Sequence, residues 1–165
     1  MPFPATAIAN ELLDCAEDSF SSLTQINIQK LVYFAHGWHL AWSKKPLILD
    51  SIEAWEYGPV VRNLYNQFRR FRSKPITEKA MDLRMDNFGK VVTSLPCLDQ
   101  SLDGVYAKSV IQAIWKQYGQ LPPFQLVELT HVPDSPWEKA RRSGQTLISN
   151  DEIEKYFTGL LSQNA

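Results

Sequence analysis

From Thr24 to Trp42 the chain lays Ile28, Leu31, Val32, Ala35, Trp38 and Trp42 along one helical stripe, while Tyr33, Phe34 and Leu40 make much of the remaining circumference apolar. A helix that is apolar nearly all round has no side to give to water, so it must be central, with other elements packed about it. Its longest uncharged run, Leu31 to Ser43, is 13 residues and holds two histidines. A bilayer crossing takes about 20 apolar residues, so the segment reads as the core of a soluble protein, with no membrane partner. The 165 residues, 44% hydrophobic with seven Gly and ten Pro, have the composition of one compact globular domain over 1–165. A chain of this length buries roughly 70% of its unfolded surface and needs neither disulfides nor a structural metal.

The remaining segments supply the packing partners. Ala5, Ile8, Ala9, Leu12, Leu13 and Ala16 recur at steps of three and four, which predicts a first amphipathic helix with an acidic outer side. Pro46 to Leu49 and Ile52 to Tyr57 are short β-rich runs around Asp50 and Ser51, which predicts a hairpin over 46–57. Gly58 and Pro59 are expected to stop that strand and open a helix, with Val61, Leu64, Tyr65, Phe68 and Phe71 facing inward. Residues 73–99 fit neither period cleanly, with Lys74 to Thr77 the candidate for a further short strand. A helix from Ser101 to Tyr118 is expected to turn Val105, Tyr106, Val110, Ala113 and Ile114 inward and to end at Gly119. A short helix follows Pro122 or Pro123, and capping boxes at Ser135/Glu138 and Ser149/Glu152 start two more. The fold class is therefore mainly α with a small antiparallel β element.

Candidate chemistry is sparse. His36 and His39 are three apart on the central helix, a spacing that can aim two imidazoles at a metal, but no HExxH or carboxylate-rich partner accompanies them; they read as polar residues at the edge of a packed helix. His131 lacks an identifiable nucleophile to serve and reads as a structural hydrogen-bonding residue. GxSxG, P-loop and GxGxxG fingerprints are absent, so the expectation is no enzyme, no catalytic residue, no cofactor and no metal. Cys15 and Cys97, 82 positions apart, read as reduced structural thiols, each a small buried hydrophobe. Of the five tryptophans (38, 42, 55, 115 and 137), most are expected in the core.

Net charge is -1, which gives no global field for nucleic acid or anionic lipid. No basic residue precedes Lys30, whereas Glu11, Asp14, Glu17 and Asp18 are acidic; a secretory or transit leader is not expected, and the cytoplasm is the predicted location. The one local anomaly is Arg62, Arg69, Arg70, Arg72 and Lys74, with no acid between Tyr57 and Thr77. Such a run fits a solvated face, a dock for an acidic protein surface, or a nucleic-acid contact that uses the interleaved Tyr65, Phe68 and Phe71.

A resemblance then emerges from particular runs: Lys30 to Phe34 with Gly37 and Trp38; Ala54, Trp55, Glu56, Tyr57, Gly58, Pro59 and Val60 with Tyr65; and Thr130, His131, Pro136 and Trp137. Spanning about Leu23 to Phe157, they resemble the Panacea domain, the SocA-like antitoxin family of bacteria and phages. No appended helix-turn-helix segment accompanies them, which disfavours autoregulatory DNA binding. The resemblance implies a mainly helical, non-enzymatic protein that binds and neutralises a toxin encoded by a neighbouring gene. Because that family is paired with many unrelated toxins, Trp38, Trp55, Tyr57, Gly58, Pro59, Tyr65, His131, Pro136 and Trp137 are expected to build the scaffold. Partner contact is assigned to Arg62, Arg69, Arg70 and Arg72 from charge and exposure. A nucleic-acid-binding regulator using Arg62 to Lys74 is the alternative.

Overall fold

The structure, a computed structural model, describes residues 1–163. Helix α2 (Gln25–Ser43) lies at its centre, with every residue from Asn27 to Ala41 buried. Its start is fixed by a reciprocal cap: the Asn27 N–H donates to Thr24 Oγ1 at 3.4 Å and the Thr24 N–H donates to Asn27 Oδ1 at 3.0 Å. Around it pack α1 (Ala5–Asp18), α3 (Arg62–Phe68), α4 (Leu102–Tyr118), α5 (Pro123–Thr130) and α7 (Asn150–Gln163). A sixth helix, α6 (Pro136–Arg142), begins at Ser135, whose Oγ accepts from the Glu138 N–H as the capping pattern predicts; Ser149 Oγ likewise accepts from the Glu152 N–H at the start of α7. The buried apolar side chains form one cluster reaching from Ala5 to Phe157. The architecture is mainly α with small antiparallel sheets.

Helix α2 makes its most extensive contact with α7. A Cβ on Gly37 would fall within the Phe157 ring, so only glycine admits that ring, which also meets Tyr33, Phe34 and Trp38 edge-on. Trp38 is buried and donates from Nε1 to Tyr118 Oη at 3.1 Å.

The predicted hairpin is displaced along the chain. Strand β1 (Ile52–Trp55) pairs not with 46–49 but with β2 (Gly58–Val60), in the register Glu53 to Val60 and Trp55 to Gly58. On its other side it pairs with β5 (Leu147–Ile148), two residues too short to show a period in sequence. Residues 47–49 instead clasp the N-terminal segment: the Phe3 N–H donates to the Leu47 carbonyl at 2.8 Å and the Leu49 N–H to the Phe3 carbonyl at 2.9 Å. Gly58 and Pro59 therefore continue the sheet rather than open a helix. Gly58 sits at φ +113°, a value glycine permits, and Pro59, which has no N–H to donate, is tolerated because β2 is an edge strand.

Within 73–99 the expected strand at Lys74 to Thr77 is absent. A separate ribbon forms from β3 (Asp82–Met85) and β4 (Val91–Ser94). The inward stripe of α4 is Gly104, Ala107, Val110, Ile111 and Ile114, whereas Val105, Tyr106 and Ala113 are exposed; the predicted stripe was rotated by part of a turn. Of the tryptophans only Trp38 is fully buried, Trp55, Trp115 and Trp137 being half-buried and Trp42 exposed. Cys15 is half-buried and Cys97 exposed, so the latter is not a core residue.

Candidate partner interface

The run carrying Arg62, Arg69, Arg70 and Arg72 occupies α3 and the 3₁₀ turn Arg69–Phe71 that follows it. Leu64 and Phe68 anchor it in the core, with Tyr65 and Phe71 half-buried, and all four arginines point outward. They are not equivalent. Arg62 grips Glu53 with two hydrogen bonds, Nε to Oε1 at 2.9 Å and Nη2 to Oε2 at 2.8 Å, and lies 5.3 Å from the Trp55 ring centre. That guanidinium holds the Glu53 carboxyl below its ordinary range. Arg62 is thus a bracket between α3 and β1. Arg70 pairs with Glu78 at 2.7 Å and covers the Phe71 ring at 4.8 Å. Arg69 and Arg72 form no ion pair among the described residues and present their full charge to solvent.

The motif residues converge on the β1–β2 corner. Lys30, buried on α2, runs beneath Gly58 and donates from Nζ to the Pro59 carbonyl at 3.0 Å; burial pulls its pKa down to about 8. A Cβ at Gly58 would crowd both the Lys30 end and Thr130 Oγ1 at 2.9 Å. Trp137, one residue into α6 beyond Pro136, donates from Nε1 to the Trp55 carbonyl at 2.6 Å. His131 lies flat on the Trp137 ring at 3.8 Å, with its Nε2 buried without a hydrogen-bond partner. Burial and the nearby Lys30 ammonium lower the His131 pKa, opposed by the Tyr57 backbone. Trp55 tilts against Tyr65 with centroids 4.9 Å apart. At the apex, the Tyr57 side chain is 70% exposed. What the corner builds locally is a sheet-to-helix junction.

His36 and His39 are buried, not at an edge. The His36 Nε2–H donates to Asn150 Oδ1 at 2.8 Å, and its Nδ1 accepts from the N–H groups of Leu47 and Ile48 at 3.3 and 3.4 Å. Desolvation lowers its pKa to about 4, which keeps the ring neutral. The His39 Nδ1–H donates to the Lys45 carbonyl at 2.8 Å. The two rings serve separate latches, and no group of metal-ligand residues occurs among the described residues. An open groove of about 1040 Å³ beside α6 is lined by Asp50, Lys139, Arg142 and Glu152, with charges of both signs.

Three amide clamps carry no sequence signal. Gln29 brackets the Val61 backbone, accepting from its N–H at 2.9 Å and donating to its carbonyl at 3.0 Å. Asn10, buried on α1, accepts from the Ala80 N–H at 2.8 Å and donates to the carbonyls of Ala80 and Pro96 at 3.0 Å each. Gln67 donates to the Met81 carbonyl at 2.8 Å. The last two hold both ends of the β3–β4 ribbon.

A family model described as Antitoxin SocA-like, Panacea domain, matches residues 28–138. The chain is 31% identical over 134 residues to Antitoxin SocA of Caulobacter vibrioides (strain NA1000 / CB15N), an alignment covering 81% of this chain and 68% of that protein. No solved structure matches. Among the described residues no helix is long and apolar enough to cross a membrane.

Proposed function

Since the chain belongs to the SocA-like Panacea antitoxin family, we propose that it neutralises a protein toxin, encoded by a neighbouring gene, by binding it directly. The observation that supports this reading is the family match over residues 28–138, joined to a surface that offers exposed charge and apolar side chains. Within that reading Arg69 and Arg72 are the capture arginines. Exposed intramolecular pairs contribute under about 1 kcal/mol, so stability gives little reason to cluster cations there, whereas a planar guanidinium pairs well with a partner's carboxylates. Arg62 and Arg70, already paired within the chain, hold the surface in shape. The reading also has the protein act without catalysis, in the cytoplasm.

The test is growth. Co-expression of this chain with the product of the adjacent toxic open reading frame is expected to restore colony formation. Continued arrest with both proteins present at normal levels contradicts the proposal.

A further inference from the structure

The ribbon of β3 and β4 is a separate two-stranded sheet that carries a cluster of exposed apolar side chains. Its register, Leu83 opposite Thr93 and Met85 opposite Val91, places Leu83, Met85 and Val91 on one face. These side chains are 73%, 69% and 62% exposed, and Phe88 at the tip is 95% exposed. A two-stranded hairpin alone is marginally stable in water; a third strand or a covered face is what makes such an element independently stable. Here no third strand pairs with either outer edge among the described residues, and while Asp82, Val92 and Ser94 are partly buried, the Leu83, Met85 and Val91 face is open.

The ribbon is nevertheless held in one place. Asn10 fastens Ala80 and Pro96 at its two ends, and Gln67 fastens Met81. At the tip Asp86 Oδ1 accepts from the N–H groups of Phe88 and Lys90 at 2.9 Å each, the Asp86 N–H donates to the Lys90 carbonyl at 2.9 Å, and Gly89 takes φ +76°. A preordered base and turn with an uncovered face between them lowers the ordering cost of adding a strand.

Charge identifies the occupant. From Arg69 to Lys90 the chain carries seven basic and three acidic residues, although the whole protein is at -1. Arg69, Arg72, Lys74, Arg84 and Lys90 form no ion pair among the described residues, and Gln67 joins the arginine-bearing helix to the ribbon's base. A second copy docked ribbon to ribbon would set this cationic surface against itself. The aliphatic face favours protein over nucleic acid, which is held by stacked aromatics.

We propose that the β3–β4 ribbon is the docking element for the toxin, which adds an acidic, extended segment as a third strand and sets its apolar side chains over Leu83, Met85 and Val91, with Phe88 as a tip anchor. This rests on the toxin-binding reading above.

The experiment uses the full chain and the product of the adjacent open reading frame. Two variants are compared with wild type: Leu83→Ser/Met85→Ser/Val91→Ser, and Phe88→Ala. Because these residues lie outside the core, melting temperatures are expected to stay near wild type. Capture of the partner is expected to fall at least tenfold in the triple variant, and hydrogen exchange at residues 82–85 or 91–94 is expected to slow in the wild-type complex. Capture by wild type with equal capture by the triple variant overturns the ribbon as docking element and leaves the toxin-binding reading standing. Failure of wild type to capture the partner overturns both. Retention of a mixed-sequence DNA duplex by wild type and not by the triple variant, or a wild-type dimer that the triple variant dissolves, also overturns the proposal by naming a different occupant.

Discussion

Lys30 shows how much one buried charge can shape a corner. Its ammonium donates to the Pro59 carbonyl beneath Gly58, with no carboxylate paired to it among the described residues. Folding lowers its pKa from the ordinary 10.5 to about 8, because burial disfavours the charged form. Between those values the unfolded chain binds more protons than the folded one, so this residue's contribution to stability rises with pH across the window and is lost as pH falls through about 8. Lys30→Met removes that dependence, while raised groups such as Tyr33 and Cys15 titrate alike in both proteins and cancel in the difference. Urea unfolding is expected to show wild type gaining on Lys30→Met between about pH 8 and pH 10. A difference that is flat with pH would mean the amine is solvated. In sequence Lys30 is visible only as part of an apolar run. Lysines are almost never buried unless paired, and what buries this one is a corner almost thirty residues further on. The clamps of Asn10, Gln29 and Gln67 are hidden for the same reason: an amide advertises donors and acceptors, but its backbone partner exists only after folding.

At the scale of elements, helices with a committed apolar side were legible and strands without one were not. The ranges of α1 and α2 fall within a residue or two of those their periodicity implies, because a long stripe is sampled many times. The β3–β4 ribbon was hard to read because only Met81, Leu83 and Met85 alternate with polar residues, Val91–Ser94 does not, and the apolar side of that alternation is the exposed one. The corner at Gly58 misled for a different reason: proline suits both a helix's first turn and an edge strand, and only the pairing partner decides. The contact of α2 with α7 gives the sharpest test of packing. Trp38→Ala is expected to cost about 3–5 kcal/mol, and Gly37→Ala about 1–3 kcal/mol because the Phe157 ring must move. The half-buried Trp55, changed to Ala, is expected to cost less than Trp38. Denaturant melts of the three variants check the order; Trp55→Ala proving the most damaging would mean that the β1–β2 corner, not the α2–α7 contact, carries the core.

Across the whole molecule, charge is segregated rather than scarce. Acidic residues crowd the first helix and basic ones the stretch from Arg62 to Lys90, so a near-neutral total conceals a polar molecule. That segregation was readable from the chain. Which arginines face solvent unpaired was not, since Glu53 and Glu78 neutralise Arg62 and Arg70 through contacts made by the β1–α3 packing and by the turn beyond Phe71. A basic surface beside an uncovered apolar ribbon suits fast, steered capture of an acidic protein, and steering weakens as salt screens it. The decisive measurement is the association kinetics of the purified chain with the purified product of the adjacent open reading frame, at low and at physiological salt. A direct complex is expected, forming faster at low salt, with Arg69→Glu/Arg72→Glu slowing association while leaving the fold intact. Absence of any complex at either salt would contradict neutralisation by direct binding.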